Sequence, residues 1–306
     1  MLENFISPVD ATVVERLEAA GLEITGRIGM SEFGASGLFS DAPELTETVN
    51  NFKAGTADVI LCNDYTGAVS CAAAASGLYY IHPTYGTVSR YGLVPAVTSM
   101  DQIGILCKTP EVGFSVLQII GGYDHKDGVM EKEEREKAAE VSPGEKSETL
   151  KSPRKIKVDE TELMYSEIYS QIMQILCCAE LGNNINRYDG IKFGYRAKEY
   201  NGLRELYTKS RTEAFGEDVK LAALIGAMVL SQENYNKYYD KAMRLRRMIK
   251  ESVDFSKYDV IKTSNPILSR LTGLPSLSTP GFVYTANKGQ ENILSALADD
   301  PGEQTI

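Results

Sequence analysis

Two adjacent residues, Ser70 and Cys71, are the candidate nucleophiles in this sequence. They lie in CNDYTGAVSCAA, directly after the apolar run ADVILC. A serine attacks a carbonyl only when a nearby base accepts its proton, and a cysteine attacks as the thiolate. His82 is the one nearby side chain that suits the role of base. Ser70 and Cys71 also fit the start of a small-residue helix packed under a loop, so both interpretations stay open.

The cysteines and histidines do not indicate a metal or cofactor site. The chain has five cysteines, none in CxxC spacing, and two histidines, His82 and His125. This usage favours a reduced, cytoplasmic protein with no metal and no cofactor. The N-terminus lacks the basic start and apolar run of a signal peptide, and no stretch reaches transmembrane length.

The charge balance argues against nucleic acid as a partner. The chain carries 42 acidic and 32 basic side chains, which gives a net charge of -10. Such a surface repels a phosphate backbone, so we expect no direct nucleic-acid binding. Because no stretch reaches transmembrane length, we expect no membrane partner either.

Apolar periodicity predicts an α/β fold. Residues 57–62 form a continuous apolar run with β-branched members, which is typical of a strand buried on both faces of a sheet. The run LEITGRIG, residues 22–29, also predicts a strand. Helical spacing occurs over 10–22, where Asp10 is a candidate N-cap and Gly21 the stop, and over further segments. These are 110–120, 162–181, 199–213, 217–231 and 233–251.

A charged segment interrupts this pattern at residues 126–160. It is rich in Glu, Lys, Ser and Pro and has few large apolar residues, so it cannot bury much surface. We interpret residues 1–306 as a single domain that carries a flexible surface insertion at 126–160.

Five long segments have an unusual composition: HPTYGTVSRYGLVPAVTSMDQIGILCKTPEVGFSVLQIIGGYDHKD, NNINRYDGIKFGYRAKEY, KSRTEAFGEDVK, ENYNKYYDKAMRLRR and the opening ENFISPVDATVVERLEAAGLEITGRIGMSEF. They resemble segments of the amidase-signature family, and in particular of its amidotransferase A subunits. They cover roughly two thirds of the chain in the family's order. The resemblance implies an α/β/α sandwich around a mixed sheet, shortened at the N-terminus and in the middle.

The resemblance also implies a catalytic set of three residues: a serine nucleophile, a second serine in a cis peptide, and a lysine base. The family places its nucleophile in a loop of the form GSDTGGSIRQPA before a PTYG motif. Counting back from PTYG puts Asp64, Tyr65, Thr66 and Gly67 in that loop and Ala68 at the nucleophile. Ser70 then stands where the family has an arginine, and the loop is a vestigial oxyanion loop whose backbone N–H groups still face the former site.

The other two catalytic positions are also lost in this alignment. The glycine-rich loop of the second serine corresponds to SDAPELTETVNN, which has no glycine, with Asp41 a candidate N-cap. The family's lysine lies before the ENF segment and has no counterpart here. In the substrate-binding helix, Leu221, Ala222 and Ala223 stand where the family has arginines for a carboxylate.

The remaining charged side chains near family motifs either contact a ligand or anchor loops. They are Arg90, Arg187, Asp189 and Arg196. A tyrosine- and methionine-rich helix around Tyr235, Tyr238 and Tyr239 serves either the core or a protein interface.

These observations predict a catalytically inactive paralogue of the amidotransferase A subunit that acts as a scaffold or regulatory binding protein. The alternative is a glutamine-dependent amidase or amidotransferase subunit that works through Ser70 or Cys71, or in complex with a partner. A third interpretation is a small-molecule binder that uses the old pocket without turnover. Loss of covering elements exposes sheet edges, so we expect amidotransferase subunits or a second copy as partner.

Overall fold

The protein, described by a computed structural model over residues 2, 5–130, 156–159, 163–192 and 194–299, alternates helices and strands. The helices are α1 Thr12–Ala19, α2 Pro43–Ala54, α3 Ala68–Ala75, α4 Pro110–Ile120, α5 Tyr169–Asn184, α6 Gly202–Ala214, α7 Glu217–Leu230, α8 Tyr239–Ser252, α9 Ile267–Thr272 and α10 Glu291–Asp299. The strands are β1 Val59–Asn63, β2 Tyr79–His82, β3 Ile103–Cys107, β4 Val158–Asp159, β5 Val260–Thr263, β6 Ser276–Ser278 and β7 Val283–Ala286. Short 3-10 turns span Glu32–Gly34, Ser166–Ile168 and Ile185–Arg187.

Within these residues the strands form one seven-stranded mixed sheet in the order β1-β3-β2-β6-β7-β5-β4. Neighbouring strands are antiparallel except β4 and β5, which are parallel. The strand predicted over 57–62 is confirmed as β1. In the described part of the chain, however, β1 is an edge strand with mostly half-buried side chains, rather than a strand enclosed on both faces.

Helices cover both faces of the sheet, because apolar side chains alternate along each strand. Ile81, Ile105 and Leu277 point to the face covered by α1, α4 and α10. Tyr80 and Leu106 point to the opposite face, against α2 and α3. This arrangement confirms the predicted α/β/α sandwich around a mixed sheet.

A third apolar cluster joins the helices that follow residue 163 to earlier residues such as Leu38, Tyr65 and Met100. Helix α5 is the centre of this cluster and packs against α7, α8 and α9. Gly182 and Gly226 allow α5 and α7 to approach closely, since a Cβ built on Gly226 would stand 2.2 Å from the carbonyl oxygen of Cys178. The helices predicted over 162–181, 199–213, 217–231 and 233–251 are present as α5 to α8, but α5 begins seven residues and α8 six residues later than predicted.

Three local predictions differ from the structure. Residues 22–31 form no strand and contain no helix, turn or bend. Helix α1 follows Ala11 rather than Asp10, and α2 follows Ala42 rather than Asp41, in both cases without a side-chain cap. A strand needs a neighbour for its hydrogen bonds, and a cap needs local geometry, neither of which apolar spacing supplies.

Most of the predicted insertion at 126–160 falls outside the described residues, which omit 131–155. At its ends the chain takes part in the fold: Met130 is buried, and Val158 pairs with Val260 of β5. None of the helices in the described part of the chain combines the length and apolarity that a membrane crossing requires.

Candidate functional site

The loop predicted to hold the nucleophile joins β1 to α3. It begins at Asp64, directly after Asn63 ends the strand, and Ala68 is the first residue of the helix. Gly67 has a φ of 83°, and a Cβ at this position would stand 3.2 Å from Cγ of Pro266. Glycine is therefore required here both for the backbone conformation and for the close approach of Pro266.

The Asp64 carboxylate binds backbone N–H groups at the start of α3. It accepts hydrogen bonds from the backbone N–H groups of Val69 and Ser70, each at 3.0 Å. The N–H of Ala68 donates to Thr66 Oγ1 at 3.3 Å. These three donors are paired within the protein, and the Ala68 N–H among them belongs to the predicted oxyanion loop, residues 64–68.

Arg270 lies beneath this loop and was not predicted from the sequence. It extends from α9, and its Nη2 contacts Asp64 Oδ2 at 2.8 Å, with side-chain exposures of 0% for Arg270 and 1% for Asp64. Its Nε donates to the carbonyl of Asp64, and its Nη1 donates to Pro266 O and Ser269 Oγ. An arginine inside the apolar run ILSRLTG was the available signal, since a buried guanidinium requires a carboxylate partner.

Ser70 belongs to the same network and is not an accessible nucleophile. It is 1% exposed. Its hydroxyl donates to the carbonyl oxygen of Gly67 at 2.8 Å and accepts from Arg270 Nη2 at 3.0 Å. A hydroxyl that is buried and bonded on both sides holds the first turn of the helix. Arg270 thus reaches, from another helix, the position where the sequence resemblance places an arginine.

The position predicted for the nucleophile carries a methyl group under a glycine. Ala68 is half-buried. A Cβ built on Gly37 would stand only 2.5 Å from the Cβ of Ala68. Thr66 holds the covering segment in place, since its Oγ1 donates to the carbonyl of Ser36 at 2.9 Å. The backbone of Gly37 therefore lies directly on the residue that would have to attack a substrate.

Cys71 is the accessible member of the candidate pair, but its surroundings do not activate it. Its side chain reaches solvent. Partial desolvation of the sulfur, with the nearby Asp64 carboxylate as a smaller cause, raises the pKa of the Cys71 thiol above its usual value. A raised pKa keeps the sulfur protonated at neutral pH, and the thiol is a poor nucleophile.

His82 lies at the end of β2 with no partner for its Nδ1 among the described residues. Burial, together with the positive charge of Arg270, moves the pKa of His82 well below its usual range, so the imidazole is neutral. Within the described residues no hydrogen bond joins His82 to Ser70 or Cys71. The structure therefore places a neutral imidazole near the site without connecting it to either candidate nucleophile.

A row of buried hydroxyl groups extends from His82 across the sheet. Ser276 of β6 is directly opposite His82, and Thr285 of β7 is directly opposite Ser276. Ser278 lies on the same face, opposite Tyr80. The hydroxyl oxygens of Ser276, Ser278 and Thr285 have no hydrogen-bond partner within the described part of the chain. The sheet face below the former site is therefore polar, although no catalytic pair is formed.

The segment predicted to replace the family's second serine is helix α2. The helix begins with Pro43, and its first-turn Glu44 accepts a 2.5 Å hydrogen bond from the Ser36 hydroxyl. At the predicted carboxylate-binding position, Ala222 is completely buried and Leu221 is exposed. Residues 221–223 therefore offer no cation for a carboxylate.

The four charged residues considered as ligand contacts each form hydrogen bonds with other residues of the protein. Arg90 makes two bonds to Asp127 and also donates to Tyr85 and to the carbonyl of Thr98. Arg187 bonds Asn184, Asp189 closes a turn onto the N–H of Ile191, and Arg196 donates to the Tyr200 hydroxyl. These contacts favour loop anchoring over a shared ligand site.

Comparison with known proteins identifies the family of this chain. The sequence model of the Amidase family matches residues 53–158 and 145–269, which is more than half of the chain. The chain belongs to the amidase family. Among amidase relatives, the A subunit of the glutamyl-tRNA(Gln) amidotransferase from Lachnoclostridium phytofermentans is 34% identical over 94% of this chain and 68% of the relative. The chain thus spans about two thirds of the length of that relative.

Solved amidase structures show the same fold. The peptide amidase of Stenotrophomonas maltophilia superposes with a TM-score of 0.67 at 18% identity, over 96% of this chain and 76% of that one. The A subunit of the glutamyl-tRNA(Gln) amidotransferase from Thermotoga maritima gives a TM-score of 0.56 at 23% identity, over 94% of this chain and 74% of that one. The resemblance inferred from the sequence is confirmed.

Proposed function

We propose that this amidase-family chain is a catalytically inactive, cytoplasmic paralogue of the amidotransferase A subunit that acts as a scaffold or regulatory binding protein. One observation carries the proposal: the nucleophile position holds Ala68, which lies under the backbone of Gly37. A methyl group has no electron pair with which to attack a carbonyl.

The surroundings of Ala68 support this proposal. The Ala68 N–H donates to Thr66 Oγ1, and the next two amides of α3 donate to Asp64, so these three donors are already paired within the protein. The buried Arg270–Asp64 pair fills the space beneath the loop. Each replacement removes a different requirement of amide hydrolysis, so restoring a single hydroxyl does not restore a reaction.

The names of the matched relatives support the proposal of a protein partner. The matched relatives are named as the A subunit of an amidotransferase, and such a polypeptide binds other chains. We propose that this chain binds the other amidotransferase subunits or a second copy of itself, without chemistry of its own.

Glutaminase and general amidase assays test the proposal. The pure protein is assayed alone and with the other amidotransferase subunits of the same organism, next to Ser70→Ala, Cys71→Ala and Ala68→Ser. We expect no turnover in any mixture, including with Ala68→Ser. Turnover by the unmodified chain that disappears in Ser70→Ala or Cys71→Ala would overturn the proposal and identify a rewired amidase.

Thermal denaturation distinguishes a scaffold from a protein that binds a small molecule without turnover. A scaffold shows no shift of its melting temperature with glutamine, glutamate or a small amide, whereas a ligand that binds the folded state raises it. A reproducible rise with glutamine that is lost in His82→Ala but not in Arg187→Ala would favour the small-molecule binder.

A further inference from the structure

A segment after α1, residues 22–30, has no assigned helix, strand or turn and alternates exposed apolar with exposed polar or charged side chains. Leu22, Ile24, Ile28 and Met30 are 41%, 44%, 44% and 59% exposed. They alternate with Glu23, Thr25 and Arg27, which are also exposed. This period of two is the pattern of a β-strand with one face intended for burial.

The backbone of this segment lacks partners. Between Glu23 and Met30 no backbone hydrogen bond occurs within the described residues, and the chain has no helix, turn or bend there. The space around it is open, because a Cβ added at Gly26 or Gly29 would meet no atom within 4 Å. Backbone N–H and C=O groups without partners can pair with another strand.

The charges of the segment are arranged for pairing with itself. In an antiparallel pair of identical segments with Thr25 at the two-fold axis, Glu23 of each copy lies opposite Arg27 of the other. Leu22 then lies opposite Ile28, and Ile24 opposite Gly26, on the apolar face. Directly opposed unlike charges and Thr–Thr pairs are both favourable cross-strand combinations.

Neither charge is paired within the described part of the chain. Among the described residues, Glu23 and Arg27 form no ion pair, unlike the exposed pair Arg247 and Glu251 on α8, whose atoms are 2.7 Å apart. A parallel arrangement in the same register would instead place like charges side by side. The segment therefore favours an antiparallel copy of itself over a parallel one.

We propose that residues 22–28 form the dimer interface of this protein, as a two-stranded antiparallel ribbon with a second copy of the same chain. The two-fold axis passes between the Thr25 residues. Two Glu23–Arg27 pairs lie on one face of the ribbon, and Leu22, Ile24 and Ile28 of both copies share the other. This proposal is independent of whether the chain catalyses a reaction.

Charge-reversal variants test the interface by sedimentation equilibrium of the purified chain. Glu23→Arg gives a segment with two positive charges, and Arg27→Glu gives one with two negative charges. Each variant alone would place like charges opposite each other, so we expect dimerisation to weaken about tenfold or more. An equimolar mixture of the two variants, and the double variant Glu23→Arg/Arg27→Glu, should restore the dimer.

The control is Arg247→Glu, an exposed charge reversal on α8 that should leave the dimer unchanged. Circular dichroism of every variant confirms that the fold is retained. A chain that stays monomeric at about 100 µM, well above the micromolar range of ordinary specific association, would overturn the proposal. A dimer that survives Glu23→Arg and Arg27→Glu unchanged would also overturn it, because the contact would then lie elsewhere.

Discussion

At the scale of single residues, the most consequential contact is the buried ion pair between Asp64 and Arg270. Removing one partner leaves an uncompensated charge in the interior, which costs about 3–5 kcal/mol of the free energy of unfolding. We therefore expect Arg270→Met to lower that free energy by this amount in urea denaturation. The exposed Arg187→Met is the matched control and should change it by less than about 0.5 kcal/mol.

A double-mutant cycle shows whether the loss belongs to the pair. Asp64→Asn combined with Arg270→Met leaves no unpaired charge, so the double variant should lose less than the sum of the single losses. Additive losses would mean that the pair contributes no coupling and that Arg270 matters only for packing.

At the scale of elements, Asp124 ties α1 to the β2–β3 connection. Its carboxylate accepts hydrogen bonds from Thr12 and Ser89, both at 2.6 Å, and from the N–H of Lys126 at 2.9 Å. Burial acts to raise the pKa of Asp124, but these hydrogen bonds outweigh it and lower the pKa to about 2. The carboxylate therefore binds its proton less readily in the folded than in the unfolded chain.

This difference predicts an acid-sensitive contribution to stability. The folded pKa of Asp124 lies below the unfolded value of about 4, so its stabilisation is complete above that pH and is lost as pH falls from about 4 to about 2. Urea midpoints of the unmodified chain and Asp124→Asn should differ most near neutral pH and converge across this window. A constant difference down to pH 2 would contradict the assignment.

The contact between α5 and α7 gives a second prediction for the elements. A Cβ on Gly226 would collide with the backbone carbonyl of Cys178 at 2.2 Å, and backbone cannot give way as a flexible side chain does. We expect Gly226→Ala to cost about 1–3 kcal/mol by forcing the helices apart. Gly29→Ala, where the new methyl would meet no atom within 4 Å, is the neutral control. Equal melting temperatures for the two variants would refute the close packing.

At the scale of the whole molecule, the charge balance sets the choice of partner. A net charge of -10 repels polyanions at long range, and the exposed surface includes apolar side chains in the 22–30 segment. We expect no saturable retardation of tRNA in gel-shift experiments at about 50 mM salt, where electrostatic binding is strongest. Retardation that weakens as salt rises would reveal a basic surface that the net charge conceals.

Sequence alone determined the elements whose signal is local. Residues 110–120 predicted α4 because their apolar spacing and Pro110 describe a helix without reference to the rest of the chain. The placement of Ala68 at the family's nucleophile position rests on counting residues back from the PTYG motif. The fold class follows from the same local patterns together with the family resemblance, and both are confirmed.

Tertiary structure decided the features that depend on distant neighbours. Arg270 and Asp64 are 206 positions apart, so no local pattern could pair them. Whether residues 22–29 formed a strand depended on a second strand lying beside them, and within the described residues the fold provides none. The hydrogen bonds from the first amides of α3 to Thr66 and Asp64 could not be predicted either, because the sequence does not show which acceptor a given N–H group meets.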